Sequence, residues 1–253
     1  MYFKIHTVRK FIRIPKKTYI EHKQQLLIVM KKVAILGGTG NIGEGLARRI
    51  CLGEKFDVEI GSRGAEKAAE AAAGVCTCLI EHNCTCTTCT GGTNADVCEA
   101  DILILSLPFE RIESTIETIG KECFENKIIV SLINPMIRNP QEKYFLPDAP
   151  AEGSAALAIR KMLPESAKLV CAFNNVAANK WMLLDEELDY TVAVCGDDED
   201  AKKEVMELVA SVSRLQPLDA GPLAMSKVIE GITPLVITIA MRNKLKDVGV
   251  YFK

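Results

Sequence analysis

Residues 30–50 read MKKVAILGGTGNIGEGLARRI: an apolar run, a knot of glycines, then apolar residues at helical spacing. A strand, a glycine-rich turn and a helix in that order open a nucleotide-binding βαβ unit. Gly38, Gly40 and Gly43 form G-x-G-x-x-G between the strand and the helix. The first glycine permits a tight turn, the second lets backbone approach a pyrophosphate, and the third lets the helix pack closely. The helix N-terminus adds free N–H groups and a positive dipole for phosphates. A structural glycine turn would also satisfy the letters, so the case rests on their place at the first βαβ unit.

The next strand, Phe56 to Ile60, selects the dinucleotide. An NAD binder commonly ends it with a carboxylate for the ribose hydroxyls. Here the sequence continues IGSRGAEK, with Ser62 and Arg63 where that carboxylate would stand. A guanidinium would hold a 2′-phosphate that a carboxylate would repel. Lys67, one helical turn on, offers a second cation. NADP is therefore expected, against the plainer reading of a solvated basic helix start.

Working outward, ADILILSLP (100–108), KIIVSLINP (127–135) and KLVCAFNNV (168–176) are near-continuous apolar runs, as strands covered on both faces require. YTVAVCG (190–196) and a short strand around Leu215 to Leu218 follow. Helical patterns lie between several of these, at Phe109 to Ile119, Gly153 to Met162 and DDEDAKKEVMELVASV. The alternation predicts an α/β fold: a Rossmann-type doubly wound, mostly parallel sheet. After residue 221, GPLAMSKVIEGITPLVITIAMRNK reads as a long helix bent or interrupted at Pro234, followed by a closing tail. Three segments are expected: an extension over 1–29, a nucleotide-binding domain over 30–221 and a C-terminal segment over 222–253.

The chain has 253 residues, 48% hydrophobic and 25% charged, a soluble globular balance. With 31 basic and 33 acidic side chains, its net charge of −2 makes no electrostatic case for nucleic acid. The apolar run Ile232 to Met241 is about half the ~20 residues that cross a bilayer, so a core or subunit-contact helix is expected, not a membrane span. The ten cysteines follow no secretory signal. Free thiols in a reducing cytoplasm are expected, not a disulfide framework.

The chemistry is conspicuous for what is missing. The three histidines, His6, His22 and His82, stand at no strand's C-terminal end, and no Ser-His-Asp set, H-E-x-x-H or Tyr-x-x-x-Lys pair occurs. Hydride transfer between two carbon centres needs distance and orientation, not a protein proton donor. The pattern favours cofactor-to-cofactor chemistry over carbonyl reduction, and no catalytic acid or base is assigned.

The residues from Met30 to Lys253 resemble the F420H2:NADP oxidoreductases of methanogenic and related archaea, homo-oligomeric cytoplasmic enzymes that serve methanogenesis. The markers are VAILGGTGNIGEGLA, GSR…EKA, ADILILSLPFE, KIIVS, VCGDDEDAKK, LDAGPLAMSKVIEGITPL and the tail GVYF. The resemblance implies reversible hydride transfer between NADP(H) and the deazaflavin coenzyme F420, in a homodimer or other homo-oligomer. It assigns Thr39, Gly40, Asn41 and Ile42 to the pyrophosphate loop, and Ser62, Arg63 and Lys67 to the 2′-phosphate. Leu107, Pro108 and Asn134 would lie beside the nicotinamide. Asn174, Val176, Ala178, Lys227, Thr233, Val248 and Gly249 would pack the deazaflavin. Some relatives carry His at position 174 and Arg at 227. Lys lacks the planar fork of Arg, and Lys227 also reads as a solvated helix lysine. Other readings are an NADPH-dependent reductase of a flavin or ferric complex, and a non-catalytic NADP-binding redox sensor.

Two segments stand apart. Cys76, Cys78, Cys84, Cys86 and Cys89 are closely spaced but match no metal-site pattern, and Thr and Cys alternating from Cys84 to Thr90 suit the third strand of the fold. No metal is expected. Residues 1–29 carry no motif and are expected to be unstructured or to follow from an upstream start assignment, with a basic partner-binding arm as the other reading.

Overall fold

The computed structural model describes residues 2–5, 12–15, 30–246 and 248–252, in two separate units. In the first, Tyr2–Ile5 (β1) pairs antiparallel with Ile12–Pro15 (β2). The expectation of an unstructured extension over 1–29 otherwise falls outside the described residues.

The second unit opens with Lys31–Leu36 (β3), whose last four residues have no exposed surface. Val33 and Ile35 face one core layer, and Ala34 and Leu36 the other, as a strand covered on both sides alternates. The chain continues through Asn41–Leu52 (α1), Phe56–Ser62 (β4), Ala65–Glu81 (α2), Cys89–Thr93 (β5) and Ile102–Leu105 (β6). Ile112–Ile119 (α3) leads to Ile128–Ser131 (β7), then to a hairpin of Met136–Asn139 (β8) and Tyr144–Pro147 (β9). Ala155–Met162 (α4), Lys168–Cys171 (β10), Tyr190–Gly196 (β11), Glu199–Ser211 (α5), Leu215–Asp219 (β12) and Ser226–Asn243 (α6) complete it.

The eight-stranded sheet runs β12-β11-β10-β7-β6-β3-β4-β5. Its pairs are parallel except β10 with β11. This is the expected doubly wound, mostly parallel sheet. The chain leaves β3 toward β4 and returns on the other side at β6, which opens a crevice beyond the carboxyl ends of β3 and β6. Ligands of such sheets bind in that crevice.

Four details differ from the sequence reading. The third strand is Cys89–Thr93, not the alternating Cys84 to Thr90 run. Thr87 Oγ1 donates to the carbonyl of Cys51 (2.9 Å) and Cys84 Sγ to the same oxygen (3.6 Å), holding that connection over the end of α1. Gly91 is needed in β5 because a β carbon there would lie 2.2 Å from the carbonyl oxygen of Ala68 on α2. Second, α6 passes through Pro234 without interruption.

Third, α6 with the turn before it, Leu223–Asn243, is long and apolar enough to cross a membrane by length and composition. It is nevertheless tied to the fold along its length. Glu230 accepts from the N–H groups of Ala155 and Ala156 (2.7 and 2.9 Å), Thr238 Oγ1 accepts from Phe145 N–H (2.8 Å), and Arg242 donates to the carbonyl of Glu142 (3.1 Å).

Fourth, the expectation of free thiols throughout is corrected by a Cys98–Cys123 disulfide, with Cα atoms 5.3 Å apart. Cys98 precedes β6 and Cys123 precedes β7. Because those strands are parallel neighbours, the segments that feed them meet at the same end of the sheet, beside the amino ends of β6 and β7. The other eight cysteines are free.

Candidate functional site

The glycine loop turns at Gly37, whose φ of +73° favours glycine. The tight turn assigned to Gly38 therefore sits one residue earlier. A β carbon at Gly37 would also strike Leu107 Cδ2 at 2.3 Å. Gly38 N–H donates to the carbonyl of Gly61 (2.8 Å), tying the loop to β4. Gly43 rests on Gly38, where a β carbon would come within 2.6 Å of Cα. At Gly40, the residue before α1, nothing lies within 4 Å of an added β carbon, and no side chain caps the helix. Gly40, Asn41 and Ile42, at the uncapped start of α1, thus border open space. That arrangement fits an anionic pyrophosphate.

Ser62 is buried at the end of β4, and Arg63 and Lys67 are exposed beyond it. Among the described residues neither cation has a carboxylate partner, so both are available to a 2′-phosphate. Asn94, which no motif singles out, joins this corner. Its N–H donates to the carbonyl of Ser62 (2.8 Å) and its Oδ1 accepts from Gly37 N–H (3.2 Å). The buried amide holds the glycine loop and the end of β4 together.

From Gly40, Asn41 and Ile42 a cavity of about 1330 Å³ runs over the carboxyl ends of β6, β7 and β10 to α6 and the tail. A pocket for one drug-sized ligand is about 300–1,000 Å³, so this one has room for two. Leu107, Pro108, Asn134, Asn174, Val176, Ala178, Thr233 and Val248 all line it.

Three of them form one network. Asn134 Nδ2 donates to the carbonyl of Asn174 (2.7 Å), Thr233 Oγ1 donates to the same oxygen, and Asn174 Nδ2 donates to Ile133 O and Asn134 Oδ1 (both 3.2 Å). Cys171 Sγ donates to Asn174 Oδ1 (3.1 Å). Asn174 is 2% exposed, and its amide is fully engaged with protein. It shapes the wall.

The tail reaches the cavity along β11. Thr191 N–H donates to the carbonyl of Val250, and Phe252 N–H donates to Thr191 Oγ1 (both 3.2 Å). This register turns Val248 inward. Gly249 lies outside the lining, against the ring of Tyr190, where a β carbon would come within 2.2 Å. Lys227 is exposed and packs beside Gly153, also outside the lining. Six residues separate it from Thr233, and six residues at ~100° each point the two side chains to different faces of the helix.

Among the described residues, the ionisable side chains on the cavity wall are Glu110, Asp148, Lys244 and Lys246. Among the described residues no group of three or more His, Cys, Asp or Glu side chains is arranged to hold a metal. Cys76 and Cys78 sit on α2, Cys84 and Cys86 in the loop after it, and Cys89 opens β5. Cys51 and Cys89 face each other closely enough that their contact, with burial, raises the Cys51 thiol far above its usual range.

Residues 32–135 match the family described as NADP oxidoreductase, coenzyme F420-dependent. The chain is 40% identical over 220 residues to the F420-dependent NADP reductase of Methanocaldococcus jannaschii, covering 87% of this chain and 96% of that protein. It is 31% identical to the enzyme of the same name from Methanothermobacter thermautotrophicus, covering 88% and 95%. A crystal structure of a putative F420 dependent NADP-reductase from Arthrobacter superposes with a TM-score of 0.66 at 25% identity, covering 84% of this chain and 94% of that one. The chain belongs to the F420-dependent NADP reductase family.

Proposed function

We propose that NADP(H) lies along the N-terminus of α1 with its 2′-phosphate at Arg63 and Lys67, and that the deazaflavin of F420 fills the cavity between β10, α6 and the tail. As a member of its family the chain is an NADP-dependent oxidoreductase that moves hydride between NADP(H) and coenzyme F420. One observation carries the placement: a single cavity joins the uncapped end of α1 to α6 and has the volume for two ring systems.

When bound, the nicotinamide and the deazaflavin supply the two carbon centres between which hydride passes. The protein's part is positional. Leu107, Val176 and Val248 present apolar surface that keeps water from the rings, and the Asn134–Asn174–Thr233 network fixes the wall. No step requires a protein acid or base, because fixed distance and orientation lower the barrier.

A second copy of the chain is the proposed partner of α6. Val228, Leu235 and Ile239 are exposed along it at 61, 59 and 40%, and burying such a stripe against its own image would remove it from water. The same reading places the enzyme in an archaeal cytoplasm, serving methanogenesis, without nucleic acid or a membrane as partner.

The test is to mix protein, NADPH and oxidised F420 and follow deazaflavin absorbance. Its loss in step with NADPH is expected. Reduction of a flavin or ferric complex with F420 untouched would overturn the reading in favour of another acceptor.

A further inference from the structure

Asn41, Gly45 and Arg49 lie one turn apart on a single face of α1. Asn41 is on the cavity wall. Gly45 and Arg49 meet the segment that follows β10, residues 176–186. At Gly45 the approach is so close that a β carbon would lie 2.6 Å from the carbonyl carbon of Trp181.

One turn on, Arg49 is 7% exposed and reaches into that segment. Its Nε donates to the carbonyl of Trp181 at 3.0 Å, and its Nη2 lies 3.0, 2.6 and 3.1 Å from the carbonyls of Lys180, Leu183 and Glu186. Burial lowers the pKa of this guanidinium, so its charge is costly there, and four carbonyl dipoles offset the cost. The segment gathered in this way is also a wall of the cavity, through Val176, Ala178, Asn179 and Trp181. Trp181 is 1% exposed and stands edge-on to Phe173, with ring centroids 5.8 Å apart.

We propose that Arg49 is a positioning residue for the deazaflavin. From one end of α1 it holds the co-substrate wall, while the other end carries the pyrophosphate loop. Eight residues of helix, ~12 Å, separate Asn41 from Arg49, and this rod fixes the wall relative to the bound nucleotide. Arg49 itself touches neither cofactor. The proposal rests on reading the cavity as the deazaflavin site.

The sequence contains one tryptophan, Trp181, so its emission reports the wall with no ligand present. Arg49→Lys keeps the charge but lacks the fork that spans several carbonyls. Arg49→Ala removes both, and added guanidinium can refill the vacated space. In Arg49→Lys the emission should shift to the red, KM for F420 should rise about tenfold or more, and Kd for NADP+ should stay within about twofold. In Arg49→Ala, guanidinium should recover part of both the emission and the KM.

Unchanged emission and KM in Arg49→Lys would overturn the proposal. So would a loss of NADP+ affinity that matches the loss for F420 and tracks a lower Tm, the mark of a merely structural role. If Arg49→Ala does not fold, Arg49→Lys still decides between these results. Failure of the unmodified enzyme to reduce F420 would refute the placement of the deazaflavin, while Trp181 emission would still tell whether Arg49 holds the wall.

Discussion

Thr233, midway along α6, donates its hydroxyl hydrogen bond to the carbonyl of Asn174, just past β10, and Asn134 donates to that same oxygen. The C-terminal helix and the loops that follow β7 and β10 therefore meet at one atom. Thr233→Val removes one donor and leaves the oxygen paired with Asn134. The expected loss is ~1 kcal/mol, read as roughly a fivefold rise in KM for F420. The Kd for NADP+ should not move. Equal losses for both cofactors would show that the bond supports the fold as a whole and not the deazaflavin wall.

Arg63 stands beyond β4 with no carboxylate partner among the described residues. Arg63→Ala should remove about 1.5–3 kcal/mol of charge-assisted bonding, roughly 10- to 150-fold in NADP+ affinity. Binding of NAD+ should change little. Calorimetric titration of both nucleotides checks this, and equal affinity of the unmodified protein for the two would contradict the assignment.

Glu230, 5% exposed, is raised by burial to a pKa of about 7 from the ordinary 4.5, although the N–H groups of Ala155 and Ala156 pull the other way. Between those values the folded chain holds a proton that the unfolded chain has released. Stability should therefore fall as pH rises from ~4.5 to ~7 and level off above, a difference on the order of 3 kcal/mol. Glu230→Gln should flatten this slope in urea unfolding at pH 5 and pH 8. An unchanged slope would assign the effect to other groups.

The Cys98–Cys123 bridge sets a thiol count. Denatured without reductant, the chain should titrate eight thiols, and with reductant all ten. Ten in both conditions would restore the reading of free thiols throughout.

Where one residue's chemistry dictates local geometry, the sequence is informative. The glycine loop, the buried runs of β6, β7 and β10, and the place of Arg63 are all legible on that basis. Strand β5 is hidden because CTGGT looks like a turn, and its Gly91 reflects the contact with α2 at Ala68, a tertiary demand. The hairpin of β8 and β9 carries no alternating pattern, since part of its burial comes from α6. Arg49 reads as an ordinary helix arginine within LARRI, and its four carbonyl partners lie 131 to 137 residues away. Asn94 is hidden for the same reason. Lys227 and Gly249 show the reverse limit: a resemblance names positions, but helix phase and tail register decide which of them line the cavity.

The central claim is that hydride passes directly between two rings held in one cavity, with no protein group in between. NADPH carrying deuterium at nicotinamide C4, on the hydrogen the enzyme transfers, is mixed with oxidised F420 in ordinary water, and the reduced deazaflavin is analysed by mass spectrometry and NMR. Direct transfer predicts the label at C5 of the deazaflavin without exchange. Complete loss of the label to water would mean that a protein group or another carrier intervenes, and would contradict the account.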